Sequence, residues 1–217
     1  MKFLITLLTV LTALPVIGQS YNVQRRDMKL ATQQLMEKQL IAGPILANAT
    51  RLLEDQASSA SAEVVVTSFD AQPDVCRNLE ILPGSTTADV AAGAIVVEGL
   101  DALNQSISES FTFTADQSTK VTGNRAFCSV SRMVIHEQDG AGATFDLGVG
   151  SKLGLNKCMD QAGHLVFATV DGAFETTRPT IAANSTNISL NTAIMDTALD
   201  GAKDVELFFL QNYQCLF

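Results

Sequence analysis

From Glu63 onward the chain alternates apolar and polar residues in short runs. In residues 107–115, Ile107, Phe111 and Phe113 fall on one side of the alternation, with Ser and Thr on the other. Because successive side chains of a strand point to opposite faces, this pattern is typical of half-buried antiparallel strands. Turn-forming pairs such as Pro83-Gly84 and Asp171-Gly172 separate the runs. We therefore predict a mainly β fold, an antiparallel β-sandwich or jelly-roll-like domain over residues 62–217.

The alternation predicts nine strands in this domain. They are residues 63–69, 77–82, 94–99, 107–115, 126–135, 144–149, 165–170, 180–183 and 205–213. The last run has apolar residues on both faces, including Phe208 and Phe209, which marks it as a strand able to contact another chain. The glycine-rich run 148–154, GVGSKLG, lacks dinucleotide-loop spacing, and we interpret it as a strand-ending turn with positive φ.

Residues 19–61 follow a different pattern. Between residues 28 and 53 the apolar residues recur at spacings near three and four, which predicts an N-terminal helical arm. Gly43-Pro44 interrupts the pattern, so the arm is two short helices or one kinked helix. Its apolar stripe would lie on the sandwich of its own chain or be exposed for a neighbouring subunit.

The first residues indicate secretion. Lys2 is followed by an apolar run to residue 14, then by Pro15 and Gly18, which is the pattern of a secretory signal peptide over residues 1–18. The run is shorter than the about 20 apolar residues that span a bilayer. Arg25-Arg26 is either a dibasic processing site or a pair of solvated arginines. We expect an extracellular protein with no membrane contact after cleavage.

Four cysteines, Cys76, Cys128, Cys158 and Cys215, fit an oxidising compartment. Their even number and the absence of a CxxC pair favour disulfides over metal binding, and three connectivities are open. Four Asn-x-Ser/Thr sequons, at Asn48, Asn104, Asn184 and Asn187, predict surface glycosylation.

Charge and composition argue against several ligands. The formal net charge of −9 disfavours nucleic acid and anionic membranes. The chain has no Trp and 6% aromatic residues, so it offers few stacking platforms for bases or sugars.

The sequence contains no recognisable catalytic constellation. His136 and His164 are expected to be ordinary polar residues at strand edges. Carboxylates lie scattered among turns and strand ends, and a glycosidase-type pair is not visible among Glu98, Asp101, Glu109, Asp139 and Asp146. The aspartates in glycine-containing loops, Asp139, Asp146, Asp171 and Asp200, lack calcium-loop spacing. We predict no enzyme activity, no cofactor and no metal.

An ordered series of motifs resembles a group of tailed-bacteriophage virion structural proteins. The series is QPDVCRN at residues 72–78, TTADV at 86–90, GLD at 99–101, SESFTF at 108–113 and GVGSKLGL at 148–155. The resemblance covers roughly residues 64–210. It implies a β-rich, non-enzymatic coat, decoration or tail component that packs against copies of itself or other virion proteins.

The chain departs from that group at two cysteines. The position of Cys76 tends to be Pro in the group and that of Cys128 a polar residue, so both resemble additions to an existing scaffold. This comparison implies a Cys76–Cys128 disulfide, and with it a Cys158–Cys215 pair. The signal peptide and the sequons also depart from the group. They favour a phage-like module that is secreted by a eukaryote or carried by a eukaryotic virus.

Two hypotheses of function follow. In the first, the secreted protein is a structural subunit that self-associates into an extracellular fibre or coat-like assembly, alone or with other coat or extracellular proteins. In the second, it is a monomeric binding module whose loops recognise a cell-surface partner or a glycan.

Overall fold

The fold is built almost entirely of β-strands. A computed structural model describes residues 36–210, which contain fourteen strands and three short 3₁₀ turns. The strands are β1 (Met36–Ile41), β2 (Asn48–Ala57), β3 (Val64–Val66), β4 (Arg77–Ser85), β5 (Gly93–Leu100), β6 (Ser106–Phe113), β7 (Val121–Phe127), β8 (Ser129–Ile135), β9 (Ala143–Gly154), β10 (Leu165–Val170), β11 (Ala173–Phe174), β12 (Thr180–Ala182), β13 (Thr192–Ile194) and β14 (Val205–Leu210). The prediction of a mainly β protein is confirmed.

Three antiparallel sheets contain these strands. Sheet A has the order β1-β14-β10-β11, so its first and last strands in sequence are direct neighbours. Sheet B has the order β12-β13-β9-β4-β7, and β2 also pairs with β9. Sheet C has the order β3-β8-β5-β6. In this arrangement β6 and β7 end sheets C and B.

Two apolar cores connect the sheets. The larger core contains side chains of sheets B and C, among them Ile81 of β4 and Val97 of β5. The smaller core joins sheet A to part of sheet B, with Phe209 of β14 and Leu153 of β9 among its members. Strand β9 contributes to both cores because its twelve residues extend from Phe145 in the first to Leu153 in the second. Each fully buried side chain of this size stabilises the fold by about 1.5–3 kcal/mol.

The glycines of β9 permit a close backbone crossing. The interpretation of residues 148–154 as a turn with positive φ is wrong, because they lie inside β9 and none has positive φ. A Cβ on Gly148 would lie 2.0 Å from the carbonyl oxygen of Asn48, and one on Gly150 would lie 2.4 Å from Nδ2 of Asn78. The glycines are therefore needed because β2 and a buried amide pass directly over the strand.

The prediction of a helical arm is wrong for residues 36–57, which form β1 and β2. Strand β1 pairs with β14 and β2 with β9, so both belong to the same sheets as later strands. The alternation of β1 is hidden by Gln39, a polar residue on the buried side. Its side chain donates to the carbonyl oxygen of Gly154 at 3.1 Å and accepts from the amide of Asn156 at 3.0 Å. In β2 the pairing register with β9 shifts, and the adjacent residues Leu52 and Leu53 are both buried. The apolar residues of β2 therefore do not alternate with polar ones as in a regular strand.

The strand predictions succeed for most of the remaining chain. The predicted strand 126–135 is two strands in the structure. β7 ends at Phe127, β8 begins at Ser129, and Cys128 between them belongs to neither strand. Residues 19–35 of the predicted arm, the predicted signal peptide and residues 211–213 of the last predicted strand lie outside the described residues. Within residues 36–210, no helix has the length and apolar character that a membrane crossing requires.

Candidate functional surfaces

One side of sheet A presents an apolar face to solvent. In β1 the side chains of Met36, Lys38 and Leu40 point away from the buried side, which holds Gln39 and Ile41. The face is formed by six apolar side chains of sheet A, which are Met36, Leu40, Phe167, Phe174, Phe208 and Leu210. We call it the outer face of sheet A. Two of its members are largely exposed, Phe174 at 69% and Leu40 at 54%.

Three phenylalanines form a ladder across this face. The rings of Phe167 and Phe208 are stacked, with centroids 4.2 Å apart and an interplanar angle of 23°. The ring of Phe174 lies 5.2 Å from that of Phe167 at 57°. Aromatic pairs at such separations contribute about 0.5–1.5 kcal/mol beyond burial of their area. The ladder therefore holds large apolar rings in fixed positions on a surface open to solvent.

A turn and a bulge place these rings. Asp171 and Gly172 both have positive φ and form the two-residue turn between β10 and β11 that their sequence predicts. That turn sets Phe174 opposite Thr169, diagonal to Phe167. A register shift between Leu165 and Phe167 ends the regular pairing of β10 with β14 at that point. The Asp-Gly turn was visible in the sequence, and counting outward from it would have located Phe174.

The charges on the outer face are paired with each other. Lys38 Nζ lies 2.8 Å from Glu206 Oε1, and the hydroxyl of Thr169 donates to Glu206 Oε2 at 3.1 Å. These hydrogen bonds, from Lys38 first and then Thr169, lower the pKa of the Glu206 carboxyl below its ordinary value. The face thus carries one compensated ion pair on a chain whose formal net charge is −9.

A disulfide joins two sheets where they meet. Cys76 and Cys128 are bonded, with Cα atoms 3.9 Å apart and a sequence separation of 52. Cys76 immediately precedes β4 of sheet B, and the amide of Cys128 donates to the carbonyl oxygen of Leu100 in sheet C. The bond therefore ties the start of β4 to the junction of β7 and β8. Cys158 is buried and also disulfide-bonded, and its predicted partner, Cys215, lies outside the described residues.

Three of the four sequons share one local geometry. In each, the Asn Oδ1 accepts from the backbone amide and from the hydroxyl of the residue two positions on. The hydroxyl distances are 3.1 Å at Asn48, 3.1 Å at Asn184 and 2.7 Å at Asn187. Asn104 differs, since it lies in a turn with φ of 58°. Asn48 and Asn104 are exposed, whereas Asn184 and Asn187 are half-buried.

Asn187 lies in a cleft of about 360 Å³ that is lined by residues of two strands, each of which ends its sheet. Edge strand β6 forms one wall with Ile107, and edge strand β7 contributes Arg125. Asp101 and the segment 186–188 complete it. Below the cleft, the carboxylate of Glu109 on β6 accepts from the amide of Asn124 on β7 at 2.6 Å. Side-chain hydrogen bonding thus joins the two edges beside an open cleft.

Four of the five carboxylates considered for catalysis, those of Glu98, Asp101, Glu109 and Asp146, have structural partners. Glu98 pairs with Arg132 at 3.0 Å, and Asp146 accepts from the amide of Asp55 at 2.7 Å. Asp101 accepts from two amides of its own turn, those of Leu103 and Gln105. The carboxylate of Glu109 joins β6 to β7 as described above, and the backbone amide of Asp139 donates to the carbonyl oxygen of Asp89.

Both histidines lie next to strand ends. His136 follows β8, and its Nε2 lies 3.3 Å from the carbonyl oxygen of Ala91. His164 precedes β10, and its Nδ1 lies 3.1 Å from Asp160 Oδ1. Within residues 36–210, no group of three or more His, Cys, Asp or Glu is placed to hold a metal ion. The predicted processing residues Gly18, Arg25 and Arg26 fall outside this range.

Comparison of the chain with protein-family models, with curated proteins and with solved structures finds no match.

Proposed function

We propose that the protein is a secreted, non-enzymatic structural subunit that self-associates into an extracellular fibre or coat-like assembly, with the outer face of sheet A as its contact between copies. The ladder of the exposed Phe174 and the half-buried Phe167 and Phe208 supports this proposal most directly. Contiguous apolar surface of this kind is typical of a contact site. The Cys76–Cys128 disulfide is compatible with the extracellular location that the proposal requires.

The occupant of this face is inferred to be a second copy of the chain. Copies with a net charge of −9 repel each other over most of their surface. The outer face of sheet A avoids this repulsion, because the charges of Lys38 and Glu206 on it compensate each other. Two such faces would pack as stacked sheets about 10 Å apart, with their aromatic rings interdigitated.

The size of the face sets the strength of the contact. Three six-residue strands of about 20 Å and the two-residue β11, at about 4.8 Å spacing, give roughly 300 Å² per copy. The total of roughly 600 Å² is below the about 1,200–2,000 Å² of stable interfaces. Each contact is therefore weak, and assembly is expected to depend steeply on concentration and on repeated contacts.

We include in the same proposal a β-sandwich or jelly-roll arrangement of sheets B and C and a likeness to virion proteins. Sheets B and C share one core, as the two sheets of a β-sandwich or jelly roll do. The motif series at residues 72–78, 86–90, 99–101, 108–113 and 148–155 supports a scaffold similar to that of tailed-phage virion proteins.

A monomeric secreted binding module is the second candidate. The cleft that contains Asp101, Arg125 and Asn187 favours it, because a concave site with a few convergent polar groups suits a small ligand such as a glycan. Under this alternative the outer face of sheet A makes no contact between copies.

Light scattering and negative-stain electron microscopy of the mature secreted protein test the proposal. Intact mass under non-reducing conditions first establishes processing and glycans. We expect ordered assemblies that grow with protein concentration and with salt, because salt screens the repulsion between acidic copies. Dispersed single particles under all of these conditions would refute self-association.

A pair of variants locates the contact. Leu40→Ser removes an exposed apolar side chain from the outer face, and Val65→Ser removes one of similar exposure, 48%, from β3 of sheet C. Loss of about 1.5–3 kcal/mol of burial per contact should raise the concentration for half-assembly about 10- to 100-fold in Leu40→Ser. Val65→Ser should assemble like the parent chain. An equal effect of both variants would exclude sheet A as the contact.

A further inference from the structure

We propose that the first sugar of an N-linked glycan on Asn187 occupies the cleft between β6 and β7, where it becomes a structural part of the protein. The inference rests on the secretory part of the proposed function, because only that pathway supplies the glycan. It does not depend on self-association.

The side chain of Asn187 is held in one orientation. Its Oδ1 accepts from the amide of Ser189 at 3.1 Å and from the Ser189 hydroxyl at 2.7 Å. Arg125 Nη1 donates to the same hydroxyl at 3.1 Å, which links the sequon to a wall of the cleft. Within the described residues, Nδ2 of Asn187 makes no hydrogen bond and is not a buried unsatisfied atom. The nitrogen that would carry the sugar is therefore accessible.

The cleft offers groups that suit a sugar. Asp101 uses Oδ1 for its own turn, and its Oδ2 has no hydrogen-bond partner in residues 36–210. Among the same residues, Nη2 of Arg125 makes no hydrogen bond. Ile107 and Ile188 supply apolar contact for the ring and the acetamido methyl group. The volume of about 360 Å³ lies at the small end of the ~300–1,000 Å³ typical of ligand pockets, which suits one sugar rather than an extended chain.

The location gives the sugar a structural purpose. Strands β6 and β7 each end a sheet, and unpaired strand edges favour unwanted pairing with other chains. A sugar held between them would cover both edges beside the hydrogen bond that the Glu109 side chain of β6 accepts from β7.

The attachment uses the ordinary chemistry of the secretory pathway. A lipid-linked oligosaccharide pyrophosphate donates the glycan. A bond forms between C1 of its first sugar and Nδ2 of Asn187, the bond from C1 to the pyrophosphate oxygen breaks, and the amide nitrogen loses one proton. The lipid pyrophosphate leaves, and no oxidant or reductant is needed.

Asn48 provides a matched control. Its Oδ1 accepts from the amide and hydroxyl of Thr50 at 3.0 and 3.1 Å, which is the same local geometry. The depression beside Asn48 is lined only by its own chain neighbours, residues 45–51, whereas three separate segments line the cleft at Asn187. Asn48→Gln and Asn187→Gln remove the same kind of turn contacts. Only Asn187→Gln also removes a sugar from a cleft.

The first experiment is site occupancy by glycopeptide mass spectrometry of the chain secreted from a eukaryotic cell. We expect a glycan on Asn187. Glycans at Asn48 or Asn104 with Asn187 unmodified would overturn this inference and leave the secretory proposal standing. No glycan at any sequon would overturn the inference and contradict the glycosylation that the four sequons predict.

The second experiment measures thermal unfolding in a cycle of parent, Asn187→Gln and Asn48→Gln, each with glycans trimmed to one sugar and each made unglycosylated. With glycans trimmed, the melting temperature of Asn187→Gln should lie below that of the parent. This difference should exceed the difference between the same two chains without glycans by about 2–4 °C. Asn48→Gln should show no such excess. In the parent, nuclear Overhauser contacts should join the sugar acetamido methyl to Ile107 or Ile188. Equal excesses for both variants, or absence of those contacts, would overturn the inference.

Discussion

Replacing Arg77 by Met should be among the most destabilising single changes in the described part of the chain. The Arg77 side chain is 0% exposed. Its Nε donates to the carbonyl oxygen of Gly150 at 2.8 Å, and Nη2 donates to the same atom. Nη1 donates to the carbonyl oxygen of Ile45 at 3.0 Å and pairs with Asp74 at 3.1 Å. One guanidinium therefore fastens β9, the segment before β2 and the segment before β4.

The expected magnitude follows from what the variant leaves behind. Breaking a buried ion pair by removing one partner costs about 3–5 kcal/mol, because a charge remains without compensation. Each buried carbonyl left without a donor adds about 1–3 kcal/mol where water cannot reach it. With one such carbonyl, that of the buried Gly150, we expect a loss of about 4–8 kcal/mol in the free energy of unfolding, which lowers the urea midpoint by roughly 2–4 M.

Arg132→Met is the matched control. Arg132 pairs with Glu98 at 3.0 Å, nearly the same distance, but its side chain is 39% exposed. Exposed pairs contribute about 0–1 kcal/mol, so the control should shift the urea midpoint by less than about 0.5 M. Equal shifts for the two variants would refute the role assigned to burial.

A double variant separates charge from packing. Adding Asp74→Asn to Arg77→Met removes the uncompensated carboxylate while keeping an oxygen that can accept from the amide of Ile45, as Asp74 does at 2.9 Å. We expect recovery of about 1 kcal/mol or more relative to Arg77→Met alone. No recovery would mean that the loss comes from packing and the carbonyls rather than from the stranded charge.

Three further changes have expected outcomes. Paired serine replacements at Cys76 and Cys128 should lower unfolding stability by about 3–4 kcal/mol in chemical denaturation, because the bond closes a 52-residue span, and an unchanged midpoint would contradict this. Gly148→Ala should lower the melting temperature strongly because its Cβ would meet β2 backbone at 2.0 Å, whereas Gly163→Ala, with nothing nearer than 4.0 Å, should leave it nearly unchanged. The hydrogen bond from Lys203, followed by backbone amides, lowers the pKa of Asp200 from 3.8 to about 2, so its stabilising contribution is present above pH 3.8 and is lost as the pH falls through about 2. Lys203→Met should raise that pKa towards 3.8 in a carboxyl-carbon NMR titration, and an unmoved pKa would exclude Lys203 as the cause.

Local alternation was sufficient to predict the strands whose faces differ in polarity. β6 and β10 were found with their ends nearly correct, because one face of each meets a core. β1 and β2 were missed because tertiary contacts reverse the local signal, most clearly at the buried Gln39. β7 was missed over its first residues because Thr122-Gly123-Asn124 has turn composition, yet it pairs with β4 from Val121 onward.

The candidate surfaces were only partly visible in the sequence. The sequons and the cysteines can be read from residue types alone, and the expected Cys76–Cys128 bond is present. Phe208 was singled out because it lies on a strand with apolar residues on both faces. Its stacking on Phe167 was not predictable, since that depends on β10 pairing with β14 across a gap of about forty residues. The cleft at Asn187 likewise requires knowledge of where three distant segments meet.

The pairing of β1 with β14 has a consequence for how the chain is made. From Met36 opposite Leu210 to Ile41 opposite Val205, β1 pairs along its whole length with β14, the last of the described strands to be translated. A ribosome adds about 5–20 residues per second, so β1 waits roughly 10–30 s for that partner. During this interval a segment with exposed strand edges and apolar side chains is open to chaperones and to other nascent chains. Closure of sheet A is thus expected to be a late and slow event that cannot begin before β14 is translated.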